Sequence, residues 1–575
     1  MRIRVLPLLF MVVAAAGCNG GAERQKQVQA TLHRTLAAQA RPPYVTPDAE
    51  GKKLWKLTQQ FYERRDFAPA WIKGTAPLPQ VAELVAALNT AVKEGLDPQL
   101  YNVALLEQRR QDATKGFLTK KGFEPSEAGG LDVWLTYLYM KYASDLADGL
   151  SDLAQADPKW QIRPEKFDPA GQLESALRDN RVGASLGELT PGNPQYQALR
   201  TILGEYRAQA AKGGWPAVAR QTKLKPGQTS PVVAAIAKRL VASGDYTGAV
   251  PPGHGGAYSR DLQEAVKRFQ RRHGLADDGV INAAVVAEMN VPIAQRIQQI
   301  EMNLERWRWL PRDLGDRYIL VNIPEYRLEV WDHGQVPVSM RVVVGKQDTQ
   351  TPIFNDEMTY VVFSPYWNVP PDIAQGETLP EMLKDSSFLD RNNMEVLDKS
   401  GQPIDPSSID SSDPARYRFR QKPGAQNSLG LVKFMFPNQF NVYLHDTPAD
   451  SLFARASRSF SHGCVRLENP MALAEYVLHD QQEWTREKIT DAMHAEEERT
   501  VKLKKPIPVY LGYWTARVSA DGVMQFRKDV YGIDSRLTTL LADRLSRLRK
   551  SAAAAAMAAN RAAPGRRGVT RSSTD

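Results

Sequence analysis

The chain has 575 residues and a formal charge of +9. That length is enough for several domains, and the placement of the charge excludes a nucleic-acid reading: Arg2 and Arg4 open the chain and eight Lys/Arg stand against two Asp between Leu541 and Asp575, so the folded middle is nearly neutral. The two cysteines, Cys18 and Cys464, leave no obvious disulfide partner for Cys464, and no later stretch reaches the roughly eighteen apolar residues of a membrane span.

Residues 1–17 read as a signal peptide, with Arg2 and Arg4 ahead of the short apolar run Val5 to Ala16. Ala15-Ala16-Gly17-Cys18 resembles a lipobox, which makes Cys18 a lipidation candidate and the mature chain anchored rather than spanning. Ordinary cleavage is the alternative. Residues 18–43, rich in Gln and Ala, read as a tether. From 44 to 225 apolar residues recur at helical spacing, as in Leu84, Leu88, Ala91 and Val92, or Leu131, Trp134, Leu135, Leu138 and Tyr142. Gly95 fits a helix stop and Asp97-Pro98 a new start. This is an α-helical scaffold, its aromatic stripes assigned to core.

A Pro226-Gly227 break opens a unit at 229–292 with three helices: Val232 to Leu240, one capped by Ser259, and Ala283 to Asn290. A linker helix fills 293–315. From Tyr318 the pattern turns to β, with strands at Ile319–Ile323, Tyr326–Trp331, Ser339–Val344 and Thr359–Phe363. Asn441–Leu444 is the strand leading to His445, and Met471–Leu478 a helix. This region spans 316–512, interrupted at 371–421 by a segment of polar and helical character, too long for an idle loop. A C-terminal extension (513–546) and a disordered basic tail (547–575) complete the chain.

The densest chemistry lies in Ser461-His462-Gly463-Cys464-Val465-Arg466, with His445 upstream. A free thiol is only slightly ionised at neutral pH, so a nucleophilic cysteine needs a base. An imidazole can take its proton and return it to a leaving amine. Gly463 permits a tight turn, and its N–H with that of Cys464 is a candidate oxyanion hole worth about 3 kcal/mol per donor. If Cys464 to Leu467 is extended, Arg466 shares the Cys464 face and can clamp a carboxylate. Tyr443 shares a strand face with His445 and is a candidate pocket wall, as are Trp367 and Asn368. Spacing alone leaves two other readings open. Cys464 is a small buried hydrophobe, or His462 and Cys464 belong to a zinc site, for which no second Cys or His follows at the required spacing.

This pattern resembles the signature of the YkuD-type L,D-transpeptidases. Further stretches resemble the large multidomain periplasmic members from Gram-negative bacteria: Phe61-Tyr62-Glu63-Arg64-Arg65 with Pro69-Ala70-Trp71, Glu94-Gly95-Leu96-Asp97-Pro98, Asn303 to Pro311, Val321-Asn322-Ile323-Pro324, Pro423 to Gly430, and Lys433-Phe434-Met435-Phe436-Pro437-Asn438. Phe269-Gln270, His273-Gly274-Leu275 and Asp278-Gly279 are similar to a small peptidoglycan-binding domain. Asn282 stands where glycine is usual there, and asparagine best tolerates the positive φ such a turn takes. His273 reads as a helix-end contact.

The resemblance implies a multidomain α+β protein: an α-helical scaffold domain, a three-helix peptidoglycan-binding-like domain, and a mixed β-sandwich catalytic domain with 371–421 as a capping insertion. It implies Cys464 as nucleophile and His445 as acid/base, oriented by a backbone carbonyl; Asp446 is left as a turn or cap residue. Ser461, His462, Gly463 and Arg466 would build the oxyanion and substrate sites. The expected reaction joins a stem tetrapeptide to a diaminopimelate amine, a 3-3 crosslink, with the cap excluding water. Neither metal nor organic cofactor is implied. The implied partners are donor and acceptor stem peptides and carbapenem-type β-lactams that acylate Cys464. The implied location is the periplasm, with Asn19 after Cys18 suiting an outer-membrane anchor. Two alternatives are an L,D-carboxypeptidase or endopeptidase of the same fold, and a non-catalytic peptidoglycan-binding scaffold.

Overall fold

The computed structural model describes residues 12–118, 124–150, 160–220, 223–251, 256–409 and 413–562. Most of the expected signal peptide, the Cys18 side chain and residues 563–575 of the expected tail lie outside the described residues.

Helix α1 (Val12–Ala37) carries Val28, Leu32 and Leu36 at four-residue spacing, and all three are buried. It packs on α3 (Pro125–Asp148), where a Cβ added to Gly129 would stand 2.9 Å from the Thr31 side chain. The reading of 18–43 as a tether is therefore corrected: so regular an apolar stripe docks its own helix. Helix α3 is buried on all sides from Leu131 to Ala147; the stripe foreseen on it belongs to a central helix wrapped by the others. Its Asp132 carboxylate accepts the N–H groups of Ala70 (2.9 Å) and Trp71 (2.8 Å) and the Tyr62 hydroxyl (2.5 Å). One buried carboxylate thus ties α2 (Ala49–Arg64) and the Pro69-Ala70-Trp71 turn to the central helix. Gly95, at φ 71°, ends its helical segment as expected, and Asp97 caps the next by accepting from Gln99 N–H. Val92, assigned to the core stripe, is 39% exposed because the helix stops at Asn89.

The second unit holds α4 (Val233–Ala242), α5 (Arg260–Arg272) and α6 (Ala283–Met289) around its own apolar core. Ser259 caps α5 by accepting from Leu262 N–H at 3.3 Å. Asn282 does not take a positive φ. It is extended, at φ −118°, and its side chain accepts from Val285 N–H at 3.0 Å. Asparagine serves there as a helix N-cap, a role its short side-chain carbonyl fills directly. His273 ends α5, stacked between Phe269 and Phe526. Helix α7 (Ile293–Arg308) then packs its Ile300, Leu304 and Trp307 into the core of the sheet that follows.

That sheet has nine strands: β1 (Arg317–Asn322), β2 (Arg327–Asp332), β3 (Gln335–Gly345), β4 (Phe354–Phe363), β5 (Val432–Met435), β6 (Leu444–His445), β7 (Ser459–Ser461), β8 (Val465–Leu467) and β9 (Arg499–Gly512). The order is β7-β3-β8-β6-β5-β4-β9-β1-β2, and β2 also pairs with β3, so the mixed sheet curls round and closes. Parallel pairs (β6–β8, β7–β3, β9–β1) sit among antiparallel ones. Alternation places Val432, Phe434, Leu444, Val465 and Leu467 in the core and sends their chain neighbours to the opposite face. Helix α8 (Pro470–Leu478) follows β8 and is buried through Leu473, Ala474, Val477 and Leu478.

The insertion has a core of its own, with Leu379, Met382, Leu389, Val396 and Phe419 buried. Besides helices, it contains a small antiparallel sheet of Met394–Leu397, Pro403–Ile404 and Arg418–Gln421, joined to Trp367–Asn368.

Past the hairpin of Ala516–Val518 and Met524–Phe526, helix α9 (Ile533–Ala562) runs back across the molecule. Leu537 is buried in the sheet core and Leu548 in the scaffold core. Arg549 pairs with Asp97 at 2.7 Å, and Arg544 pairs with Glu50. The reading of 547–575 as disordered fails as far as Ala562. Leu537, Leu541, Leu545 and Leu548 recur at helical spacing, a signal that the Ala and Arg composition hides.

Candidate active site

Strand register brings the chemistry together. β6 and β8 run parallel with Leu444 opposite Val465 and His445 opposite Arg466. The Val465 N–H donates to Tyr443 O at 3.1 Å, which extends the same register and sets Tyr443 beside Cys464. Since paired residues of adjoining strands point the same way, Cys464, Tyr443, His445 and Arg466 share one face, opposite the core face. Cys464 and His445 are diagonal neighbours there, at the about 7–8 Å that side chains reach across.

The turn before Cys464 is locked. Gly463 sits at φ 118°, open to glycine. Ser461 Oγ accepts the Gly463 N–H at 3.2 Å and donates to Cys464 O at 2.5 Å. Thr351 Oγ1 donates to Gly463 O at 2.8 Å, and Thr349 Oγ1 to Ser461 O at 3.0 Å. Tyr531, from the C-terminal extension, donates to Gly345 O and accepts from Thr351 N–H. Sequence reasoning missed Thr349, Thr351 and Tyr531; no local motif marks them, because their partners come from elsewhere in the chain. The oxyanion pair expected from the sequence needs one correction: the Gly463 N–H is already engaged by Ser461 Oγ.

Cys464 is half-buried and its thiol faces Asn441 O at 3.8 Å. Burial pushes its pKa up to about 11, opposed by the Tyr443 N–H and hydroxyl, which hydrogen-bond the sulfur, and by Arg466. His445 is 4% exposed. Burial first, then Arg466 and Lys433, push it down to about 3, against the backbone carbonyls of Asp446 and Leu429. Its Nδ1 lies 2.5 Å from Asp446 O, so a backbone carbonyl orients the ring. The Asp446 carboxylate instead accepts the N–H groups of Leu431 (2.8 Å) and Thr447 (2.7 Å), a turn role. The Tyr443 ring meets the imidazole edge-on at 5.7 Å.

At rest, then, the site holds a neutral thiol and a neutral imidazole. Such a pair can do acyl-transfer chemistry: attack on a carbonyl would move the thiol proton to His445, which would then hold a proton to give a leaving group. Arg466 is half-buried, its Nε has no hydrogen-bond partner, and no carboxylate among the described residues pairs with it. His462 points away from Cys464 to the cap, its Nε2 2.8 Å from Glu377 Oε1. Trp367 packs against the cap core, and Asn368 pairs with Arg420 of the cap sheet rather than lining the thiol. Among the described residues, no three His, Cys, Asp or Glu side chains converge as a metal set.

Residues 316–501 match the L,D-transpeptidase catalytic domain of the YkuD family. The chain carries an L,D-transpeptidase catalytic domain. Ahead of it, residues 229–289 match a "Putative peptidoglycan binding domain", and residues 56–203 a scaffold domain. A Haemophilus influenzae protein named "Putative L,D-transpeptidase" is 33% identical over 243 residues, 42% of this chain and 49% of that protein. The chain thus spans about half the length of that curated relative. Among solved structures, an L,D-transpeptidase from Mycobacterium smegmatis has 16% identity over 34% of this chain and 58% of its own, with a TM-score of 0.17. Another from Xylanimonas cellulosilytica has 14% identity over 51% of this chain and 99% of its own, also at 0.17. Overlaps at this level carry no weight here. Cys464, His445 and Arg466 all fall inside the L,D-transpeptidase match, as does the cap.

Proposed function

We propose that this protein is a cysteine-dependent L,D-transpeptidase that forms 3-3 crosslinks in peptidoglycan. Cys464 attacks the carbonyl of the L-centre of diaminopimelate in a donor stem tetrapeptide, and a C–S bond forms. His445 takes the thiol proton and delivers it to the departing D-alanine amine as the C–N bond breaks. The amine of a second diaminopimelate then attacks the thioester, gives up its proton to His445, and the thiol is regenerated. The Tyr443 N–H and hydroxyl steady the sulfur anion, and Arg466 binds a substrate carboxylate bidentately. The cap favours transfer over hydrolysis by excluding water.

The observation that carries this reading is the shared face of Cys464, Tyr443, His445 and Arg466. Its supporting context is the peptidoglycan-binding match on the same chain. We also propose export to the periplasm with lipid anchoring at Cys18, on the Ala15-Ala16-Gly17-Cys18 sequence, and acylation of Cys464 by carbapenems.

The test is intact mass of the protein and its Cys464→Ala variant after meropenem, then after disaccharide-tetrapeptides. An adduct on the wild type alone, with dimeric products, is expected. Trimmed monomers alone would replace transfer by hydrolysis, and no adduct with no product would overturn the assignment.

A further inference from the structure

Lys433 has no role in the reading above, yet register places it in the site. β5 and β6 are antiparallel with Lys433 opposite His445. Directly opposed residues project to the same face with Cβ atoms about 5 Å apart. The row across the sheet is therefore Arg466, His445, Lys433, and His445 stands between two cations. The neighbours of Lys433 on its own strand, Val432 and Phe434, are fully buried in the core, which fixes the direction of the lysine. Its ammonium is only loosely engaged. Glu498 Oε2 lies 3.7 Å away and also accepts the Tyr366 N–H at 2.9 Å.

The strand order repeats the order of atoms at the scissile bond. The turn into β8 supplies the nucleophile, β6 the group that protonates the leaving nitrogen, and β5 the next position beyond it. In a tetrapeptide donor, the group beyond the leaving nitrogen is the carboxylate of the departing residue. Adjacent strands lie about 4.8 Å apart, a spacing that a four-carbon side chain covers with ease. We propose that Lys433 is a specificity-determining residue that binds the free C-terminal carboxylate of the leaving D-amino acid, and so selects donors that end at that residue. The inference rests on the acyl-transfer reading of Cys464 and His445. Burial, which holds the lysine below its ordinary pKa, agrees with a group that gains from an incoming anion.

The experiment compares a disaccharide-tetrapeptide ending in D-alanine with the same donor ending in D-alaninamide, using the full-length protein and its Lys433→Met, Lys433→Arg and Glu498→Gln variants. The wild type should prefer the acid by about tenfold or more in kcat/KM, the range of one charge-assisted contact. Lys433→Met should raise KM for the acid, leave kcat within about threefold, and leave the amide unaffected. Lys433→Arg should keep the preference, and covers the case in which the methionine variant misfolds. Glu498→Gln should keep it too. The inference is overturned if Lys433→Met loses both donors equally, if it retains the preference, or if Glu498→Gln reproduces its effect, which would make the lysine a counter-ion only. A wild type that forms a meropenem adduct and turns over both donors alike removes Lys433 and leaves the transpeptidase reading standing. A wild type with neither adduct nor product removes both.

Discussion

Glu377 of the capping insertion holds His462, two residues before the thiol, through a 2.8 Å contact between Oε1 and Nε2. Both side chains are partly exposed, so the pair contributes little to stability, about 0–1 kcal/mol. Its effect falls on the position of the cap. Glu377→Gln and His462→Ala should leave thermal unfolding nearly unchanged while raising the fraction of acyl-enzyme lost to water. Product analysis at fixed acceptor concentration checks this; an unchanged ratio of dimer to hydrolysed monomer would remove the latch from the mechanism.

The neutral pairing of Cys464 and His445 sets the pH response of the thiol. With Cys464 pushed up to about 11 and His445 down to about 3, no thiolate–imidazolium pair forms near neutrality. Alkylation of Cys464 by iodoacetamide should climb steadily from pH 7 toward pH 11. A plateau between pH 6 and 8 would reveal an ion pair and contradict the description.

Tyr443 offers the sulfur both a backbone N–H and its hydroxyl. Tyr443→Phe removes the hydroxyl alone, and the loss of one hydrogen bond to a developing anion is about 1.5 kcal/mol or somewhat more, roughly tenfold in rate. Acylation by meropenem should slow by that factor with the thiol pKa shifted further upward. A rate equal to that of the wild type would restrict Tyr443 to packing.

Two buried histidines make the fold acid-sensitive. His445 lies at about 3 and His273 well below its ordinary value, burial being the main cause of each. In the unfolded chain both titrate near 6.5. The native state therefore binds fewer protons below that pH, and stability falls as pH drops from about 6.5 toward 3. His273→Phe cannot charge when unfolded. Its stability relative to the wild type should improve as pH drops from about 7 to about 4.5, read from urea midpoints; a constant gap would show that His273 is not neutral in the fold.

Asp132 anchors the scaffold through three donors, the N–H groups of Ala70 and Trp71 and the Tyr62 hydroxyl. Asp132→Ala strands all of them in a buried site and should cost about 3 kcal/mol. Thermal unfolding of the full-length variant reads this. A loss below 1 kcal/mol would mean that water replaces the carboxylate.

The sequence made the Cys464 turn legible because Ser461, Gly463, Cys464 and Arg466 lie close together in one short run and each type has a local reason to be there. His445 and Tyr443 followed from period-two alternation on one short strand. Lys433 was hidden, since its relation to His445 exists only once β5 and β6 pair, and register cannot be read from a single strand. The clamp of Thr349, Thr351 and Tyr531 was hidden for the same reason. The unit at 229–292 was legible through helical periodicity and caps, apart from Asn282, where resemblance suggested a positive φ and side-chain chemistry made an N-cap. The ends were misread because composition outweighed period: Gln and Ala masked Val28, Leu32 and Leu36, and Arg and Ala masked the leucines of α9.

Helix α9 also orders events in time. Its Leu548 joins a core whose other members run from Val28 to Leu189, and Arg544 reaches Glu50 across 494 positions of sequence. A growing chain therefore exposes this domain without its final wall until helix α9 has been made. Closure of so long a loop comes late and contributes little to early nucleation. A domain made early is thus sealed late, by a helix made after the whole of the catalytic-domain match.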